Sequence, residues 1–246
     1  HWKNILRKLL EAKALLELIK IEFLKLRRRK LIWIMLLSAL IMPFLTMLLF
    51  KYRGQTGVDP IQFYKWSAFG YNIFIILPVA LGILCSMLIH EENQHDMLRQ
   101  LWIVPVSKMR FFFSKFFVVL IYSVIFMLIT AIASAFFSIV PGYVTFEWKS
   151  ILYLLERCLE IGVITSFAML PIMAIAVSKK GYILPVCVTL VYAFCSFILM
   201  PVNMYLHPLC SMAGIIMRNK DIPGLTFAQT INVPLAFLCI CVWDII

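Results

Sequence analysis

Charge is scarce in this chain. Only 14% of its 246 residues are Asp, Glu, Lys or Arg, while 63% are hydrophobic and the mean hydropathy is +0.95. Soluble domains carry about 25% charged residues, so a water-soluble globular enzyme is excluded. A disordered chain is excluded too, because it would be poor in aromatic and β-branched residues. Acidic residues are the scarcer kind, 12 against 23 basic ones, for a net charge of +11. The seven cysteines include no CxxC pair and mostly lie inside apolar runs, which removes zinc-ribbon and disulfide-scaffold classes. Cys158 and Cys210 both fall toward one side and could meet; small free hydrophobes are the alternative. No internal repeat and no low-complexity linker is present.

Long apolar runs are what the chain does have. Six of them, at about 31–50, 69–89, 111–140, 154–177, 182–206 and 225–246, meet the ~20 residues that a bilayer core requires. An all-α integral membrane protein with six transmembrane helices is therefore expected. The third run is long for a straight crossing. It is expected to tilt, or to begin at the interface with Lys115 snorkelling to the headgroups. Prolines 43, 78, 171, 185, 201 and 234 fall inside runs, where membrane helices accept them at kinks.

Residues 1–30 form a separate unit ahead of the 31–246 transmembrane domain. Trp2, Ile5, Leu6, Leu9, Ala12, Leu16, Ile19, Phe23 and Leu26 recur at helical spacing, with basic residues opposite. This predicts an amphipathic helix lying in the membrane interface; a solvated helix packed on a soluble partner is the alternative. Ten of the 23 basic residues fall in these thirty positions. Lys25, Arg27, Arg28, Arg29 and Lys30 abut the first apolar run, which marks a cytoplasmic anchor on anionic lipid rather than a nucleic-acid surface. A charged stretch of this kind is not a secretory signal. His1 and the apolar end at Asp244-Ile245-Ile246 do not look like natural termini, so a truncation or an engineered junction is expected.

With the amino end inside, residues 1–30, 90–110 and 178–181 are cytoplasmic and 51–68, 141–153 and 207–224 are outside. The positive-inside rule agrees, although without the first thirty residues, and with Lys115 added to the inner side, six basic residues are inside against the remaining seven outside. Residues 207–224 are semi-apolar and interrupted by Pro208, Gly214, Pro223 and Gly224. Short helices dipping back into the outer leaflet and an ordinary loop both fit.

The most informative polar stretch follows the second run. His90-Glu91-Glu92 with a second histidine suggests a zinc protease, but His90 and His95 are five apart, about 140° around a helix. A zinc site of that type needs two histidines at i and i+4. Residues 91–104 fit an amphipathic helix better. Met97, Leu98, Leu101 and Trp102 form its apolar stripe, Glu91, Glu92, Asp96 and Arg99 face water, and Pro105 ends it. A plain interfacial connector is the alternative. Farther on, Glu156, Arg157 and Glu160 stand at the outer start of the fourth run. They mark either a candidate outer-leaflet substrate route or a helix end still in the headgroup zone. No catalytic, cofactor-binding or metal residues are assigned: there is no GxxxxGK[ST], no GxS serine site with a histidine partner and no DGxxAR motif.

Acidic residues ending the second run, a short helix, then Pro105-Val106-Ser107, Arg110 and Lys115 follow an order that resembles the permease subunits of type-2 ABC exporters. Leu98 and Leu101 match within the short helix. The run Ile21-Glu22-Phe23-Leu24-Lys25-Leu26-Arg27-Arg28 resembles the start of these permeases, so the likeness extends from Leu18 to the end. It departs at His95-Asp96, where many members carry Gly-Thr. The resemblance implies the six-span type-2 ABC exporter permease fold in a bacterial cell membrane, multi-pass, with the amino terminus cytoplasmic. It implies a P-loop ATPase subunit dimer that carries ATP and Mg, leaving this chain without a cofactor of its own. Glu91, Glu92, Leu98, Arg99, Leu101 and Pro105 would couple to that dimer, and a second permease subunit, the same or a related chain, would complete the transporter among membrane lipid, with no nucleic acid involved. Small size, an Arg-rich start and an aromatic-rich third run look most like bacitracin and lantibiotic resistance or immunity permeases. The alternatives are a permease for lipid or another amphipathic substrate, and a non-ABC membrane enzyme acting on lipid or peptide bonds.

Overall fold

The computed structural model describes residues 2–54, 57–94, 108–178, 181–218 and 231–245, and every regular element among them is helical. Helix α1 (Trp2–Arg27) precedes four rods long and apolar enough to cross a membrane: Lys30–Arg53, Pro60–His90, Phe111–Ile139 and Trp148–Ser178. The first rod joins α2 (Lys30–Leu37) to α3 (Ile41–Arg53), and the second joins α4 (Pro60–Tyr64) to α5 (Leu77–Gln94). The third is α6 (Lys108–Ile139); the fourth joins α7 (Trp148–Ala168) to α8 (Leu170–Ser178). Two shorter apolar helices, α9 (Ile183–Leu199) and α11 (Val233–Ile245), flank α10 (Pro208–Ile216). The helical membrane bundle expected from the apolar runs is present. The fifth and sixth runs yield 17- and 13-residue helices, and residues 219–230 lie outside the described ones.

Local chemistry moves two boundaries outward from the hydropathy runs. The Asp59 carboxylate accepts the Ile61 N–H at 3.3 Å and Pro60 occupies the first helical position, a capping pair that starts a helix whatever its hydropathy. The second rod therefore begins at Pro60 rather than near 69. The fourth begins at Trp148 rather than near 154.

Prolines leave their mark inside the rods. Pro43 has no N–H to offer Ala39, four residues back, and a 3-10 turn at Ser38–Leu40 sits at that gap. The Thr130 hydroxyl of α6, 3.1 Å from Phe126 O of its own helix, also comes within 3.4 Å of the freed Ala39 carbonyl, so that its one proton is shared between the two acceptors. Thr130 Oγ1 also accepts from Asn72 Nδ2 at 3.3 Å. Asn72 opens the second of two π-helical turns, Lys65–Phe69 and Asn72–Ile76, which lie just ahead of Pro78. A buried polar node thus ties three rods together where each proline has loosened one of them. In the fourth rod, which breaks at Met169 ahead of Pro171, the Tyr192 hydroxyl of α9 donates to Ala168 O at 2.7 Å.

The ends of the bundle are closed by cross-rod contacts. At the end away from α1, here distal, the Val58 N–H donates to Tyr143 O at 2.9 Å and the Phe63 and Tyr143 rings stack 6.5 Å apart. At the proximal end the His90 and Tyr182 rings meet edge-on at 5.8 Å. Helix α1 lays Glu22 and Leu26 into the bundle with Ile19 and Phe23 beside them, whereas Leu16, expected on that apolar face, is exposed. Small residues set the crossings between rods. Ser123 Oγ of α6 donates to Gly162 O of α7 at 2.7 Å, and a Cβ at Gly162 would sit 3.1 Å from Val124 Cα. Close backbone approach at small residues is how membrane helices gain packing energy.

Candidate functional sites at the two ends of the bundle

At the proximal end, Lys115 does not reach outward as its expected snorkelling required. It is 1% exposed, and its ammonium lies 3.2 Å from Glu22 Oε1 of α1 and 4.8 Å from the Phe111 ring centroid. Lys25 Nζ approaches the same carboxylate at 3.4 Å. The physical reason is that a carboxylate supplied from a neighbouring helix replaces the headgroup that a snorkelling lysine seeks. The amino-terminal helix is thereby joined to the third rod, a link between residues 93 positions apart that no local pattern signals.

Of the six residues expected to couple to an ATPase, the structure describes the backbone of two. The backbone of Glu91 and Glu92 continues α5, which ends at Gln94. Leu98, Arg99, Leu101 and Pro105 lie outside the described residues. Of the basic anchor, Arg27, Arg28, Arg29 and Lys30 are exposed at the turn between α1 and α2, and Lys25 is half-buried at Glu22.

Toward the distal end the charged cluster of the fourth rod is resolved into partners. Arg157 is buried and its Nη1 donates to Glu160 Oε2 at 2.5 Å, while its plane sits 5.4 Å from the Tyr153 ring centroid. Glu156 is exposed and stands apart from this pair. Arg218 joins it: one Nη1 donates to Glu160 Oε1 and to Ile215 O. Arg157 Nε has no hydrogen-bond partner among the described residues. The sequence signal for Arg218 was only a cation, with Lys220 close behind it, inside the semi-apolar stretch 207–224.

That stretch contains a buried helix rather than a plain loop. All nine residues of α10 are buried. His207 caps it, its Nδ1 accepting the Leu209 N–H at 3.3 Å, and Pro208 fills the first position. The His207 ring lies 4.2 Å from that of Tyr192, the residue bonded to Ala168 in the fourth rod. After α9 the chain therefore folds back to the depth of Tyr192 before α10 climbs toward Glu160. Trp243 Nε1 donates to Leu206 O at 3.1 Å and Ser211 Oγ to Met204 O at 2.9 Å, holding the fold-back. Cys158 and Cys210 are both buried and free.

The Glu160 centre makes a stability prediction. Glu160→Gln strands two guanidiniums at one uncharged amide and is expected to cost about 3 kcal/mol, the range for breaking a buried pair. Arg218→Gln leaves Arg157–Glu160 intact and removes a half-exposed partner, so about 1 kcal/mol is expected. Thermal melts of the two variants in one detergent check the order.

A bundle of apolar rods, re-satisfied at its prolines and holding charge clusters at each end, is a multi-pass membrane protein. A family profile described as ABC-2 family transporter protein matches residues 18–196, and the chain belongs to that family. It is a transmembrane permease subunit of an ABC transporter, a family whose permeases associate with an ATPase subunit. No curated protein and no solved structure matches it.

Proposed function

We propose that this permease serves an exporter that expels a peptide antibiotic of the bacitracin or lantibiotic type, for resistance or self-immunity. In this reading the chain sits in a bacterial cell membrane with its proximal end cytoplasmic, paired with a second permease. An ATPase dimer grips the helix at residues 91–104 through Glu91, Glu92, Leu98, Arg99, Leu101 and Pro105. The observation that carries the reading is the continuity of α5. It runs unbroken from Leu77 to Gln94, so force applied beyond its end has a stiff path to the point where Gly82 meets Thr189 of α9 and to the π-helical half of the second rod. Glu156, Arg157 and Glu160 would give the charged part of an amphipathic peptide a polar step within an otherwise apolar wall.

Purification in mild detergent is expected to bring down a P-loop ATPase. In the reconstituted complex, Glu91→Lys or Pro105→Ala is expected to lower transport-linked ATPase activity about tenfold, the equivalent of about 1.4 kcal/mol and of one contact to a charged group. Membrane insertion is expected to stay unchanged. Stimulation of the ATPase by bacitracin or a lantibiotic supports the peptide substrate; stimulation by lipid alone moves the assignment to a lipid exporter. Unaltered activity in both variants removes the coupling role.

A further inference from the structure

The first and second rods do not close against each other along their whole length. Between them runs a groove of about 510 Å³ lined by Met42, Leu45, Thr46 and Leu49 on one side and Trp66, Tyr71, Ile75 and Ile76 on the other. Its second wall depends on irregular backbone. Trp66, Tyr71 and Ile76 are spaced by five, which on an α-helix spreads neighbours by about 140°. The two turns at Lys65–Phe69 and Asn72–Ile76 are π-helical, and their i→i+5 bonding stacks residues five apart on one face. Single π turns of this kind gather at functional sites.

The first wall shows what the groove fits. Met42, Leu45 and Leu49 form a stripe at i, i+3 and i+7, and Arg53 extends it at i+11. At 1.5 Å per residue the distance from Met42 to Arg53 is about 16 Å, close to half of a ~30 Å hydrocarbon core. The stripe thus spans one leaflet, apolar through its depth and cationic at its distal rim, where Arg53 is exposed on the same face, while Lys51, about 180° from Met42 around the helix, is exposed on the other. Tyr52, 94% exposed, stands at that rim, as interfacial aromatics do. An apolar slot one leaflet deep beneath a cation matches a chain beneath an anion.

We propose that this groove binds one acyl chain of an anionic phospholipid in the distal leaflet, its headgroup resting against Arg53. The lipid wedges the first rod against the π-helical half of the second. This goes beyond the export reading and does not depend on the exported substrate.

The test uses the full chain in nanodiscs of phosphatidylcholine doped with phosphatidylglycerol that carries a diazirine on one acyl chain. Photolabel is expected to concentrate on residues 42–49 and 66–76, above the level on the lipid-facing residues Val191, Phe194 and Ile198 of α9. Leu45→Trp, which fills the slot, is expected to abolish that excess. Arg53→Gln, on the exposed rim and outside the packed bundle, is expected to weaken the preference for phosphatidylglycerol over a diazirine phosphatidylcholine about fivefold, whereas Lys51→Gln, on the opposite face of the helix, is expected to leave it unchanged. Equal labelling of α9, equal labelling by the two lipids in the native chain, or crosslinks from these residues to a second copy of the chain would each overturn the proposal.

Discussion

Glu22→Lys is expected to be the most damaging charge change in the protein, lowering the melting temperature by roughly 10 °C and dissociating α1 from the bundle. Lys115 is almost fully enclosed, with the Glu22 carboxylate at 3.2 Å. Reversing that charge places a second ammonium against a buried one, with Lys25 also within reach of the same position. Breaking a buried pair costs about 3–5 kcal/mol because one charge stays behind without water. A fall of that size converts to several degrees in a chain of this length. The exchanged pair, Glu22→Lys with Lys115→Glu, restores opposite charges at the same separation and is expected to recover at least half of the loss. A thermal melt of the three variants in one detergent, with protease access to the α1–α2 turn as a second readout, separates a true pair from two independent packing sites. If the exchange recovers nothing, the ion pair does not hold α1 in place.

How far such a joint can be read ahead of the structure depends on what carries the signal. Apolar runs located all four long rods, because a bilayer core imposes a minimum length that shows directly in composition. Their ends were less legible. Asp59-Pro60 starts a helix through a side-chain cap and Glu147-Trp148 through a change from extended to helical backbone, neither of which a hydropathy window registers. The π turns leave no periodic trace at all; Pro78 was a visible breaker, but the direction in which the helix would relax depends on what it packs against. The stretch from 207 to 216 carried its own answer in His207-Pro208, a capping residue before a first-position proline, although its composition alone fitted a loop equally well.

Charge partners were legible only where they share a helix. Arg157 and Glu160 are three apart, so helical spacing brings them together and the structure places them at 2.5 Å. Glu156 was equally prominent by spacing, yet it points away, because α7 buries the face that carries Arg157 and Cys158. Arg218 and Glu160 are separated by 58 residues, and Glu22 and Lys115 by 93. Those pairings follow from the order in which rods pack, which no single stretch encodes. Most of the side chains assigned to ATPase coupling belong to residues 95–107, outside the described part of the chain, so their role rests on the family and on the continuity of α5.

The crossing of α5 and α9 is expected to tolerate no side chain at Gly82. A Cβ built there would lie 2.1 Å from Thr189 Cγ2, 2.3 Å from its Oγ1 and 2.7 Å from its Cβ, far inside contact distance. Thr189 cannot simply turn aside, since its hydroxyl donates to Pro185 O at 2.8 Å and its branched Cβ restricts χ1. Gly82→Ala must therefore push the two helices apart, at a cost of about 3 kcal/mol, the upper part of the range for overpacking. The distances also order the rescues. Thr189→Ala removes the two nearest atoms but keeps the Cβ at 2.7 Å, so it restores only part of the stability lost in Gly82→Ala. Thr189→Gly removes all three, and the exchanged pair is expected to melt closest to the native protein despite the helix propensity lost at residue 189. Equal rescue by alanine and glycine would mean that the helices separate freely at this point. The same measurement bears on transport, because α5 is the rod that leads to residues 91–104. A crossing that yields there would let coupling motion dissipate between α5 and α9, and ATPase stimulation would then fall in Gly82→Ala even where the protein still folds.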